Sequence, residues 1–166
     1  MEQPRIINNR IFYDERGSFS PLSLFELDKE WKQSNISVNP KKFTLRGLHY
    51  QSGETSQAKL VKVINGRILD FVVDLRVPLR SYNNCQFFEM KGGDELIVPR
   101  DFAHGFITLE ENTVVQYLVD NDYSQKTEGS LFWSSFPEIK NEILRIDSTF
   151  DESSIIISEK DLVVKS

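Results

Sequence analysis

Between residues 44 and 119, short runs of valine, isoleucine, leucine and aromatic residues are cut by turn-forming clusters at roughly ten-residue spacing. That rhythm leaves little choice of fold. Strands are expected over residues 44–50, 57–64, 67–75, 86–90, 95–98, 103–109 and 113–119. The separators are Asn65-Gly66, a region from Pro78 to Asn84, Lys91-Gly92-Gly93-Asp94, Pro99 and Glu110-Glu111-Asn112. Asn65-Gly66 is the strongest short-range hairpin signal in the chain, so the strands on either side of it are expected to pair. In the first, Lys59, Val61 and Val63 share a face opposite Leu60, Lys62 and Ile64. In the second, Leu69, Phe71, Val73 and Leu75 oppose Ile68, Asp70, Val72 and Asp74.

The ends are less regular. Residues 5–13 read as strand, closed by the turn Asp14-Glu15-Arg16-Gly17. Ser23 is a plausible N-cap for the one helix expected, residues 24–33, with Leu24, Phe25, Leu27 and Trp31 on its apolar side. Past Asp120 the pattern loosens. Phe132, Trp133 and Phe136 are expected to cover the mouth of a barrel, and residues 155–161 to form a tail strand or to pack back over a pocket. No repeat or composition break divides the chain. The expectation is a single domain over residues 1–166, a mainly β antiparallel barrel or jelly roll with one short N-terminal helix.

With 39% hydrophobic and 27% charged residues, the composition is that of a soluble globule. One cysteine, Cys85, fits a reducing, cytoplasmic setting, and the polar opening residues do not read as a signal peptide. No run is long enough to span a membrane. A net charge of −5 argues against a nucleic-acid binder, though a local basic pocket for one anionic small molecule remains compatible with it.

Chemistry concentrates in Leu45-Arg46-Gly47-Leu48-His49-Tyr50-Gln51, which carries one of only two histidines. His49 can be a strand histidine bonded to a carbonyl, or a general base if a pocket forms round it. The second, His104, follows a proline-bounded turn and precedes Gly105. No closely spaced histidine pair supports a metal site. There is no phosphate-binding glycine loop and no nucleophile elbow. Acid–base chemistry without metal or cofactor remains, with His49, His104, Lys59, Tyr117 and Tyr123 as candidates. Each could equally be an ordinary sheet residue unless they share one cavity.

Several ordered motifs resemble the dTDP-4-dehydrorhamnose 3,5-epimerase family from about residue 12 to residue 161. They are Asp14-Glu15-Arg16-Gly17, Gln33 with Asn35, the 45–51 stretch, Gln57-Ala58-Lys59-Leu60-Val61, Gly66, and Val73-Asp74-Leu75-Arg76. Pro99, Phe102-Ala103-His104-Gly105-Phe106, Tyr117, Asp122-Tyr123, Glu128-Gly129 and Ser158-Glu159-Lys160-Asp161 follow in order. The resemblance implies a cupin-type jelly roll, working without a metal or other cofactor, as a homodimer, on a dTDP-linked 4-keto-6-deoxy sugar. It implies His49 as base, Asp161 behind it, Lys59 beside the C4 oxygen and Tyr117 as acid on the other face. It also implies substrate contacts from Arg16, Phe19, Gln33 and Asn35, from Arg46 and His104, and from Tyr123, Glu128 and Lys160. Arg16 is expected to reach the partner's site.

The sequence departs from the family pattern at Ser18, Pro21, Leu118, Ser148 and Trp133-Ser134-Ser135, and in a loop between Asn35 and Arg46 that is one residue longer. These changes leave the implied catalytic set intact. Inversion at C3 and C5 is the leading expectation. Inversion at one centre, a sugar ketoisomerase and a non-catalytic nucleotide-sugar binder stay open beside it.

Overall fold

A computed structural model describes residues 2–7, 11–22 and 30–162. Two five-stranded antiparallel sheets lie face to face as a jelly-roll barrel. The strands are β1 (Arg5–Ile7), β2 (Phe12–Asp14), β3 (Gly17–Phe19), β4 (Gln33–Asn39), β5 (Leu45–Gln51), β6 (Lys59–Asn65) and β7 (Arg67–Asp74). After them come β8 (Cys85–Lys91), β9 (Glu95–Val98), β10 (Phe102–Thr108), β11 (Thr113–Val119) and β12 (Glu128–Ser130). One sheet runs β1-β9-β6-β11-β4 and the other β12-β5-β10-β7-β8, while β2 and β3 form a separate ribbon.

The alternation along β6 and β7 assigns the layers. Val61, Val63, Ile68 and Val72 meet Leu96, Val98, Phe102, Phe106 and Val115 between the sheets. Burial of such side chains contributes roughly 1.5–3 kcal/mol each, so this interior is a main source of stability. Leu69, Phe71 and Val73 point the other way, into a second cluster with Leu48, Ile107, Trp133, Phe136, Ile139 and Ile143. Leu60, Ile97, Ile7 and Leu118 form a third cluster on the outer face of the first sheet.

Three expectations are corrected. β6 and β7 do not pair: Asn65-Gly66 carries the chain from one sheet to the other. Gly66 has φ +84°, and a Cβ there would lie 2.3 Å from Thr113 Oγ1, so the turn is tight against the β11 start. The turn signal was real, but both strands are buried on two faces and find better partners elsewhere. The N-cap Ser23 and residues 24–29 of the helix expected over 24–33 lie outside the described residues, and its remainder is not helical: Glu30 to Lys32 lead directly into β4, which begins at Gln33. The α-helix among the described residues is α1 (Pro137–Ile146), with proline in its first turn and Ile139 and Ile143 buried one turn apart. Phe132, Trp133 and Phe136 do not cover the barrel mouth. They seat α1 on the outer face of the second sheet, where Leu69, Phe71 and Val73 offer an apolar surface.

Candidate active site

The stretch 45–51 would alternate strictly if β5 were regular, and Arg46 and His49 would then face opposite ways. They face the same cavity because β5 carries one extra residue against β10: His104 aligns with His49, but Phe106 aligns with Arg46. The irregularity sits at Gly47, φ +105°, where a Cβ would lie 2.6 Å from the His104 carbonyl oxygen. Only glycine allows the two backbones to close there.

The result is a cavity of about 570 Å³ between the sheets. The first sheet contributes Asn35, Lys59 and Tyr117; the second contributes Arg46, His49, His104 and Glu128. Tyr123 stands at the rim, 58% exposed, and Lys160 and Asp161 come from the C-terminal turn. Thus ten of the thirteen residues expected at the site line one cavity. Residues 155–161 act as the packed-back segment: Ile156 bridges Thr44, and the turn Glu159–Leu162 delivers Asp161 beneath β5.

His49 is half-buried. Its Nε2 lies 2.8 Å from Asp161 Oδ1, while Asp161 Oδ2 accepts from the Gly47 amide at 3.4 Å. Burial lowers the His49 pKa; the Asp161 carboxylate opposes this, and the Lys59 and Lys160 charges add to the lowering. An imidazole kept neutral and fixed through one nitrogen offers its other nitrogen, Nδ1, as a base. Lys59 is buried, and its Nζ donates to the His49 carbonyl at 3.1 Å. Burial brings its pKa down to about 8, with Asp70 opposing. An ammonium in such a place is poised near the point where it can still carry charge at neutral pH. Burial raises the Tyr117 pKa, against the nearby Arg46, so the phenol holds its proton. His104 is buried, with Nε2 2.7 Å from Asp70 Oδ2.

The structure adds residues that the sequence reading missed. Asn39, fully buried, accepts from Arg46 Nε at 2.7 Å and donates to the Thr113 carbonyl, which anchors the arginine at the cavity edge. Gln51, Gln57, Ser37 and Ser158 also line the cavity. Gln51, Gln57 and Ser158 stand within the motifs that carry the family resemblance, without a role assigned to them there, while nothing in the neighbourhood of Ser37 marks it out. Asp70 was detectable, as a charge in phase with Ile68 and Val72 on the interior face.

Three expected contacts lie outside the cavity of this chain. Gln33 donates to Asn35 Oδ1 at 2.6 Å and so touches the lining only through that residue. Arg16 and Phe19 sit on the exposed β2–β3 ribbon, where Arg16 pairs with Asp14 at 2.5 Å and Phe19 is 67% exposed. Leu118 points into the outer cluster with Leu60 and Ile97, away from the cavity, so the missing family lysine does not alter the lining. Among the described residues no three His, Cys, Asp or Glu side chains are grouped to hold a metal, and no helix is long and apolar enough to cross a membrane.

Comparison with known proteins points the same way as the cavity. The dTDP-4-dehydrorhamnose 3,5-epimerase of Salmonella typhimurium is 36% identical over 138 residues, covering 78% of this chain and 75% of that protein. The Escherichia coli enzyme of the same name is 31% identical across 97% of this chain and 88% of its own length. Among solved structures, the dTDP-4-dehydrorhamnose 3,5-epimerase of Elizabethkingia anophelis superposes with a TM-score of 0.78 at 37% identity, covering 96% of this chain and 88% of that one. The Bacillus anthracis enzyme, solved with TDP and pyrophosphate bound, gives 0.82 at 29% identity and covers 98% and 93%. The family match itself extends over residues 1–166, and on this evidence the chain belongs to the dTDP-4-dehydrorhamnose 3,5-epimerase family.

Proposed function

We propose that this protein is an isomerase that inverts C3 and C5 of dTDP-4-keto-6-deoxyglucose in deoxysugar synthesis. The observation that carries the reading is that His49 and Tyr117 face one cavity from opposite sheets. Epimerisation needs a proton removed on one face of a carbon and returned on the other, and groups across a barrel interior meet that need.

A C–H beside the C4 ketone is acidic enough to lose its proton when the enolate oxygen is stabilised. His49 Nδ1 takes the proton, and Asp161 steadies the imidazolium that forms. The Lys59 ammonium stabilises the charge developing on the C4 oxygen, an effect worth about 3 kcal/mol per preorganised donor. Tyr117 returns a proton from the other side. C3 and C5 both flank C4, so one set of groups can serve both centres. Arg46 and Lys160 supply cations for the diphosphate, a local positive charge within a protein of net charge −5. His104, Asn35, Tyr123 and Glu128 complete the substrate contacts.

The protein acts as one domain and as a homodimer. Support for the second copy comes from the ribbon: Phe12, Tyr13 and Phe19 are all exposed there, and Arg16 lies outside its own chain's cavity. In the dimer Arg16, Phe19 and Gln33 serve the partner's nucleotide side. A cytoplasmic location fits the single cysteine.

Incubation with dTDP-4-keto-6-deoxyglucose in deuterated water tests the reading by NMR. Deuterium at both C3 and C5 is the expected result. Label at one centre only would replace it with single-centre epimerisation, and no label at either would sink it.

A further inference from the structure

Among the described residues three buried side-chain polar atoms lack a hydrogen-bond partner: Trp31 Nε1, Glu95 Oε2 and Asp70 Oδ1. Only Asp70 belongs to the barrel interior beside the cavity. Its residue is wholly shielded from solvent, and its other oxygen receives His104 Nε2 at 2.7 Å. Buried carboxylate oxygens are ordinarily hydrogen-bonded, so the bare Oδ1 calls for an explanation.

We propose that Asp70 is a positioning residue for the reaction: it fixes His104 with Nδ1 turned to the substrate, and it supplies the counter-charge that keeps the buried Lys59 an ammonium. The proposal deepens the epimerase reading and rests on it. The hydrogen bond to His104 carries the first half; for the second, Lys59 is in phase with Val61 and Val63 on β6 and Asp70 with Ile68 and Val72 on β7, so both project into the interior between the sheets. An ionised Asp70 accepts from Nε2–H, which leaves Nδ1 of a neutral His104 as an acceptor towards the cavity. Lys59 is buried, and among the described residues no carboxylate is bonded to its Nζ, which donates to the His49 carbonyl. The other charged and titratable groups that line the cavity with it are Arg46, His49 and Tyr50 from β5, His104 from β10, Tyr117 from β11, Tyr123 at the rim, Glu128 from β12, and Lys160 and Asp161 from the C-terminal turn. The β9 strand beside it brings only Leu96 and Val98 to the interior. Of the carboxylates, Asp161 is bonded to His49, and Asp70 is the one whose charge acts on Lys59. Burial raises the Asp70 pKa, and the neighbouring His104 and Lys59 oppose that rise.

Two measurements test this, the first on the unmodified protein without substrate. In ¹⁵N NMR at neutral pH, His104 is expected as the Nε2–H tautomer; an Nδ1–H tautomer would mean that Asp70 is protonated and donating, and would overturn the proposal. The second follows the Lys59 ¹³Cε shift with pH in the wild type and in Asp70→Asn, whose side chain fills the same space. The Lys59 midpoint is expected to fall by about one unit or more in the variant. With substrate, the alkaline limb of kcat should move down by the same amount, while KM stays within about twofold. An unmoved Lys59 midpoint in a folded Asp70→Asn protein would refute the counter-charge role. Absence of epimerisation by the wild type would sink the proposed function, yet both NMR readings would still decide the role of Asp70.

Discussion

The two histidines of this protein each rest on a carboxylate through Nε2, and they lie directly opposite each other on β5 and β10. Their supports differ. Asp70 stands on β7, next to β10 in the same sheet, and its pair is almost wholly enclosed, with side-chain exposures of 8% and 0%. Asp161 comes from a turn near the end of the described chain, and the His49 side chain it supports is 30% exposed. The first pair is part of the barrel's construction; the second is completed from outside it. A group that must exchange protons with substrate gains from being reachable, whereas a group that orients others gains from being locked in. The contrast suggests that the two pairs respond oppositely to mutation, one through activity and the other through stability.

The sharpest way to break the contrast is His49→Ala. Loss of a general base should reduce deuterium incorporation into the sugar by about 10³-fold, with nucleotide binding by calorimetry nearly unchanged. Incorporation at the wild-type rate would remove His49 as base. Asp161→Asn should cost roughly a hundredfold in kcat, because the ring loses its orientation and its partner for the charged form. Since Asp161 raises the His49 pKa, the acid limb of the kcat profile should also move to lower pH in this variant. Its thermal midpoint should stay close to wild type; a large drop would mean that the C-terminal turn is structural after all.

His104→Ala should behave in the opposite sense. It leaves Asp70 buried without a hydrogen bond, which is expected to cost about 3 kcal/mol in chemical denaturation, well beyond the effect of Asp161→Asn. Lys59, between the two pairs, supplies a pH test. Its pKa is about 8 when folded and 10.5 when unfolded, so the unfolded chain binds more protons between those values. Stability should therefore rise with pH across that window, by up to about 3 kcal/mol, as the cost of the buried charge disappears. Activity should fall over the same interval. Lys59→Met should lack this pH-dependent gain, and a wild-type slope in that variant would show that another group is responsible.

Much of this contrast could be read in the sequence and some could not. The strand rhythm and the sharing of a face by Lys59 with Val61, and by Asp70 with Ile68 and Val72, follow from alternation alone; which face looks inward does not, because both are apolar. The shared cavity of His49, Lys59, Tyr117 and Asp161 was implied by the family resemblance, since no local rule relates positions so far apart. Gly47 shows why: its extra residue reverses the phase of Arg46 against His49, and a bulge of this kind depends on the partner strand. The hairpin expectation failed because a turn signal fixes the bend but not which strand waits beyond it. The helix at α1 was overlooked although Pro137 marks its start, because only Ile139 and Ile143 are buried along it.

The sheet switch at Asn65-Gly66 has a consequence for how this protein comes into being. Of the nine ladders that pair its described strands, only β2–β3 and β7–β8 join consecutive elements; the rest close long loops before any ladder forms. High contact order of this kind makes folding slow, because loop entropy is lost before pairing rewards it. His49 and Asp161 are 112 residues apart. A nascent chain therefore carries His49 long before Asp161, and the proposed base meets its carboxylate only after most of the described chain has been made.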